Sequence, residues 1–168
     1  MTSARQAQVD SRNIPHRLRE VLASQPKARA ISDFVHTIRE NSTRYNWVEV
    51  YLAKGETLVL AANAGDAETE NVTIPIGQSI CGSAAKSGKT ILVPGVSKDP
   101  RYLMCFPSTR SEIVVPIVGR TGVIGEIDID SDRVDAFNPA DQQLLERVAE
   151  QLHLTWRIQQ LQAFEADD

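Results

Sequence analysis

Apolar positions change period along this chain, and each change marks an element. Leu18, Val21 and Leu22 begin a stripe at helical spacing that Pro26 interrupts. Ser24 can cap a second helix with Pro26 in its first turn, and Ile31, Phe34, Val35 and Ile38 carry it to the polar run Asn41-Ser42-Thr43. The period then falls to two. Trp47, Glu49 and Tyr51 take one face of a strand, and Val48, Val50 and Leu52 the other. Lys54-Gly55-Glu56 turns it into a partner from Thr57 to Ala62. A short strand over Val72 to Ile76 leads to a helix that Ser79 can cap and Gly88 can end, followed by a strand over Thr90 to Val93. A long irregular segment with Pro94, Gly95, Pro100 and Pro107 comes next. Ser111 to Val118 and Val123 to Asp130 read as strands joined at Gly119 to Gly122, with Glu126, Asp128 and Asp130 on one face. Pro116 puts its strand near an edge or at a bulge. Asn138-Pro139 opens a closing helix to about Gln162, striped by Leu145, Val148, Leu152 and Trp156. The order predicts an α+β fold, an antiparallel sheet of about six strands flanked by helices.

Length and charge narrow the picture. A chain of 168 residues fits one domain, expected over residues 14–168 after a polar stretch over 1–13 that reads as disordered. With 22 acidic against 18 basic residues and no basic block, there is no electrostatic footprint for nucleic acid. The N-terminus lacks the apolar core of a secretory signal, and no stretch approaches the roughly 18 apolar residues of a membrane span. A cytoplasmic location follows as the expectation, where a permanent disulfide between Cys81 and Cys105 is disfavoured. The first and last helices are expected to pack together, and the long terminal helix to pair with a second copy in a homodimer.

The two cysteines carry the candidate chemistry. Cys81 falls in the first turn of the helix begun at Ser79, where unpaired N–H groups and the positive end of the dipole favour a thiolate or a bound anion. Cys105 lies in the long loop, and loops of that length in a compact domain are usually functional or disordered. Each also has a plainer reading. Cys81 beside Ile80 reads equally as a small buried apolar residue, Asp128 and Asp130 as a solvated strand face, and Trp47 and Tyr51 as core. No spacing resembles a zinc site and there is no glycine-rich phosphate loop, so no metal or cofactor is expected.

The segments WVEVYLA, IPIGQSICGSAAKSGKTILVPGVSKDPRY, RSEIVVPI, GVIGEIDIDSD and FNPADQQLLE, in that order, resemble a GAF domain over about residues 30–160. Within that superfamily the cysteine placement is similar to the free methionine-(R)-sulfoxide reductases. Cys81 stands in the motif before the CG-x-A-A helix, and Cys105 stands seven residues before Glu112 of R-S-E-I-V-V-P. The family's acidic pair matches Asp128 and Asp130, and its aromatic pair matches Trp47 and Tyr51. Two features depart from the pattern: Asn71 occupies the position of a third cysteine, and the D-P-R-Y loop is similar to that of sensory GAF domains.

The resemblance implies a two-thiol reductase. Cys105 attacks the sulfoxide sulfur, Cys81 condenses with the sulfenic acid, and thioredoxin reduces the disulfide. Arg110 and the start of the Cys81 helix are the expected sources of thiol activation. Glu112, Asp128 and Asp130 form a cluster in which one carboxyl protonates the leaving oxygen and the others hold the substrate ammonium. Backbone N–H groups around Ile80 take the substrate carboxylate, and Trp47 and Tyr51 close on the methyl group. The competing reading is a non-enzymatic GAF module that binds a small metabolite or senses oxidation through the same thiols.

Overall fold

The computed structural model describes the backbone over residues 27–165 and side chains over 29–154. The expected first helix, the Ser24 cap, the disordered stretch over 1–13 and the Trp156 side chain lie outside the described residues. The elements are α1 (Lys27–Glu40), β1 (Trp47–Lys54), β2 (Thr57–Ala64), β3 (Thr73–Pro75), α2 (Ser79–Ser87), β4 (Ile91–Val93), β5 (Ser111–Gly119), β6 (Gly122–Ser131) and α3 (Pro139–Glu165). The six strands form one antiparallel sheet in the order β3-β2-β1-β6-β5-β4.

Alternation along the strands gives the sheet two unlike faces. Val48 and Val50 of β1, Ile113, Val115 and Ile117 of β5, and Ile127 and Ile129 of β6 pack with Phe34, Val35 and Ile38 of α1 and Leu145, Val148 and Leu152 of α3 in one apolar core. The start of α3 is fixed as its sequence predicts. Asn138 Oδ1 accepts the N–H groups of Ala140 at 2.9 Å and Asp141 at 3.0 Å, and Asp141 Oδ2 accepts the Asn138 N–H at 2.8 Å in return. Asp141 also takes a bidentate pair from Arg44, both contacts at 2.9 Å, and the Tyr45 hydroxyl at 2.7 Å, locking α3 to the connection between α1 and β1.

Beneath the opposite face lie α2 and the loop between β4 and β5. The N-cap position of α2 falls on Gln78 instead of the expected Ser79, which lies in the first turn and accepts the Gly82 N–H on its Oγ at 3.3 Å, and Gly88 ends α2 in the left-handed conformation with its N–H on Ala84 O at 2.8 Å. Pro116 sits on β5 beyond the short stretch that pairs with β4, so its missing N–H faces a local edge, and the β5–β6 register shifts just past it, between Ile117 and Val118. The expected edge and irregularity are both present.

Gly82 sets how closely α2 approaches β3, because a Cβ there would stand 2.4 Å from Pro75 O and 3.0 Å from Gly77 N. Both obstacles are backbone, which cannot swing aside. Gly82→Ala is expected to destabilise the domain by about 2 kcal/mol in urea denaturation, as overpacking of a tight contact does. An unchanged midpoint would show that α2 is free to shift.

Candidate active site

The polar face of the central strands carries a concentration of acid. Glu49 of β1 pairs across from Asp128 of β6, and Glu112 of β5 pairs across from Asp130. Glu126, one alternation earlier on β6, stands opposite Tyr51 on one side and Pro116 on the other. All five carboxyl groups are buried, with Glu49, Glu126 and Asp128 at 0% exposure. Like charges directly opposite in a ladder repel, and burial removes the water that would screen them.

The cluster therefore holds protons. Burial, with the charge of Asp130 adding to it, pushes Glu49 up to about 8. Burial takes Glu126 up to about 8 as well, and Asp130 up to about 7. Glu112 and Asp128 are driven well above the carboxylate range by burial first, then by Asp130 for the former and Glu112 for the latter. Glu49 Oε1, both oxygens of Glu126 and of Asp130, and Asp128 Oδ1 have no hydrogen-bond partner among the described residues.

Both thiols border this cluster. Cys81, buried in the first turn of α2, has its Sγ 3.0 Å from Asp128 Oδ2 and 3.9 Å from Glu112 Oε1. Cys105 comes in from the loop, partly exposed between Met104 and the buried Phe106. Its Sγ accepts the Asn71 side-chain amide at 3.2 Å, and that amide also donates to Met104 O at 3.2 Å. Cys81, Cys105, Ile80, Glu112, Ser79, Ile74 and Leu103 line one crevice of about 10 Å³, room for roughly a single water molecule. Both cysteines are free thiols.

The expected thiol activation is not what the structure shows. Burial and then Asp128 push Cys81 well up, so the helix start does not make it a thiolate. Cys105 is pushed up by burial and by Asp128, Asp130 and Glu49, opposed only by the Asn71 amide. Arg110 directs Nη1 to the carbonyls of Pro107 at 3.2 Å and Thr109 at 3.0 Å. In the resting site both thiols are protonated.

The aromatic pair is placed differently by the fold. Trp47 stacks on Phe106 with ring centroids 4.4 Å apart and planes 9° from parallel, and it closes over Gly65, where a Cβ would stand 2.2 Å from its ring. Tyr51 is fully buried, and its hydroxyl donates to Asn71 O at 2.8 Å with Glu49 Oε2 at 3.4 Å. Trp47 and Phe106 thus pin the Cys105 loop, while Tyr51 and Asn71 connect the cluster to it.

Residues 28–156 match the GAF domain family. The chain belongs to that family. As a GAF domain it is similar to the free methionine-R-sulfoxide reductase of Saccharomyces cerevisiae, with 34% identity over 118 residues, covering 68% of this chain and 64% of that protein. The chain thus spans just under two thirds of the yeast relative. Among solved structures, it is similar to the type II free methionine-R-sulfoxide reductase from Thermoplasma acidophilum at 35% identity, with a TM-score of 0.72 over 82% of this chain and 94% of that one. The free methionine-R-sulfoxide reductase of Neisseria meningitidis in complex with its substrate aligns at 28% identity, with a TM-score of 0.82 over 94% of each chain.

The fold of this GAF domain brings together Cys81, Cys105, Glu112, Asp128, Asp130, Ile80 and Tyr51, and sets Trp47 beside the loop. Glu49, Glu126, Asn71 and Phe106 join them without having been expected as site residues. The first two had a visible signal, since Glu49 alternates with Trp47 and Tyr51, and Glu126 with Asp128 and Asp130.

A carboxyl whose folded-state value lies above its unfolded one stabilises the fold at low pH and loses that contribution as pH rises through the folded value. Stability should therefore fall between about pH 5 and about pH 8 as the cluster is forced to ionise. The rise of Glu126 from 4.5 to about 8 corresponds to roughly 5 kcal/mol, at about 1.4 kcal/mol per tenfold change in proton affinity. Glu126→Gln should raise the melting temperature at about pH 8 by several degrees and flatten the pH profile. A variant no more stable at pH 8 than the parent would mean that Glu126 is not held protonated.

Proposed function

We propose that the protein reduces free methionine-(R)-sulfoxide to methionine, with Cys105 as nucleophile and Cys81 as resolving thiol. One observation carries this reading: two free thiols, far apart in sequence, line the same crevice over a bed of protonated carboxyl groups. The names of the relatives point the same way.

Reduction of a sulfoxide needs a nucleophile on sulfur and a proton on the departing oxygen. Cys105 is the more accessible sulfur and lies within a loop, whereas Cys81 is enclosed. The protonated carboxyl of Glu112 delivers the proton. The substrate brings a positive charge with it. Its ammonium group, seated among Glu49, Asp128 and Asp130, favours their ionised forms and lowers the cost of forming the Cys105 thiolate, so that activation accompanies binding. The Cys105 sulfur attacks the sulfoxide sulfur and forms an S–S bond, the protonated oxygen then passes from the substrate sulfur to the Cys105 sulfur as that bond breaks, and methionine leaves with Cys105 as a sulfenic acid. Cys81 then attacks the Cys105 sulfur, water departs and a disulfide forms. Thioredoxin, as dithiol, returns both cysteines to thiols.

A crevice with room for one water does not admit an amino acid, so the loop carrying Leu103 to Phe106 opens to let substrate in. The substrate carboxylate then meets the N–H groups at the start of α2 around Ile80, and the Trp47–Phe106 stack and Tyr51 border the methyl group. Asn71 stands where the reductases carry a third cysteine, and its amide holds the Cys105 sulfur by a hydrogen bond that favours the thiolate. We place the enzyme in the cytoplasm, where both thiols stay reduced, and as a homodimer through α3. No helix among the described residues is long and apolar enough to cross a membrane.

Purified protein with free methionine-(R)-sulfoxide, thioredoxin, thioredoxin reductase and NADPH should consume NADPH, and Cys105→Ser should abolish that consumption, by about a thousandfold or more. Turnover unaffected by Cys105→Ser, or none in the parent, removes the enzyme reading and leaves a metabolite- or oxidation-sensing GAF module. Asn71→Leu should lower kcat/KM about tenfold and move the rise of activity to higher pH, since the amide no longer favours the thiolate. An unmoved profile would assign Asn71 to loop packing alone.

A further inference from the structure

We propose that the substrate-free, reduced protein binds a thiophilic divalent cation, of which zinc is the physiological candidate, on Cys81, Glu112 and Asp128. One ligand atom from each of these three residues lies within 4.8 Å of the other two, and all three residues are buried. Zinc at about 2.3 Å from sulfur and about 2.0 Å from oxygen in a tetrahedral shell sets sulfur and oxygen about 3.5 Å apart. The two measured separations, 3.0 Å to Asp128 and 3.9 Å to Glu112, bracket that value. A small inward movement of the Glu112 carboxyl and a slight retreat of Asp128 complete the set.

Unsatisfied buried polar groups supply an independent reason for a cation here. Glu126 is fully buried with both oxygens unpartnered, one alternation from Asp128 on the same face of β6. Asp128 Oδ1 is likewise buried and unpartnered. Such groups are costly to bury unless paired or coordinated. Binding displaces the Cys81 thiol proton and the protons held by Glu112 and Asp128 to solvent, which leaves two carboxylates and one thiolate around a doubly charged ion. The fourth position falls to water or to Glu126.

Size separates this ligand from the proposed substrate. The closed crevice holds roughly one water-sized particle, so a bare ion enters it while the amino acid must wait for the loop to open. Zinc therefore favours the closed form and competes with methionine sulfoxide. A second trio, Glu49, Cys105 and Asp130, has similar spacing, but Cys105 is partly exposed and its sulfur is already engaged by Asn71. The enclosed trio is the better site. Its ligands are scattered over α2, β5 and β6, so no sequence spacing announces them.

The ligand set does not depend on the reductase reading; the inhibition does. Cadmium titrated into fully reduced protein reports thiolate coordination by an ultraviolet charge-transfer band, and zinc affinity follows from competition with cadmium. The expected result is one equivalent bound at about micromolar affinity or tighter. The band should persist in Cys105→Ser and vanish in Cys81→Ser, and zinc should raise the melting temperature of the parent and of Cys105→Ser alike. Asp128→Asn, which is isosteric, should weaken binding about a hundredfold and repeats the test if Cys81→Ser fails to fold. A band that survives in Cys81→Ser and disappears in Cys105→Ser puts the ion on the other trio and overturns the assignment, as does the absence of saturable binding. Binding without reductase turnover leaves the metal site standing and removes the enzyme, whereas turnover without binding does the reverse.

Discussion

Acidic side chains on neighbouring strands, set directly across from one another and covered from water, cannot all carry charge. Glu49 faces Asp128 and Glu112 faces Asp130 in the ladder, with Glu126 on the same face. Three covering elements make the condition severe: α2 with Cys81, the loop with Cys105, and the Trp47–Phe106 stack that pins that loop. A sheet face that would elsewhere be solvated becomes a store of protons beside two sulfur atoms. The raised values of the carboxyls, the protonated resting thiols and the affinity for a cation all follow from this one arrangement.

The rest of the fold makes the arrangement tolerable. The opposite face of the same strands is largely apolar and packs on α1 and α3, so hydrophobic burial on one side offsets the strain on the other. Strand alternation enforces the division, since one residue of register slip would move the acids into the apolar core. The close contact at Gly82 and the bond from its N–H to Ser79 Oγ hold α2 in place, and through it the Cys81 sulfur over Asp128. The loop is held more lightly. Leu103 and Met104 are exposed, and the contacts closest to Cys105 are the Asn71 amide and the Leu103 carbonyl.

Much of this was legible in the chain. The period-two stretch from Trp47, the Asn138-Pro139 start of α3, the Gly88 end of α2 and the two-faced β6 each stand in the structure as their local chemistry predicts. The pairing of Glu49 with Asp128 was not legible, because alternation gives faces but no register between strands distant in sequence. The charge state of the thiols was misjudged for a related reason. A helix start favours a thiolate when it is wet, but burial beside Asp128 outweighs the dipole at Cys81, and Arg110 turns to loop carbonyls instead of Cys105. Phe106 carries no periodic signal, and its partnership with Trp47 is made by the loop's path.

Infrared spectroscopy of the reduced protein at neutral pH reads the cluster directly, because surface carboxyls are then ionised and only buried ones retain the carbonyl stretch of the acid. A protonated-carboxyl band that weakens on addition of free methionine-(R)-sulfoxide, as the ammonium group pulls the cluster toward its charged forms, is the predicted result. A spectrum holding carboxylate bands alone, before any substrate is added, would contradict it.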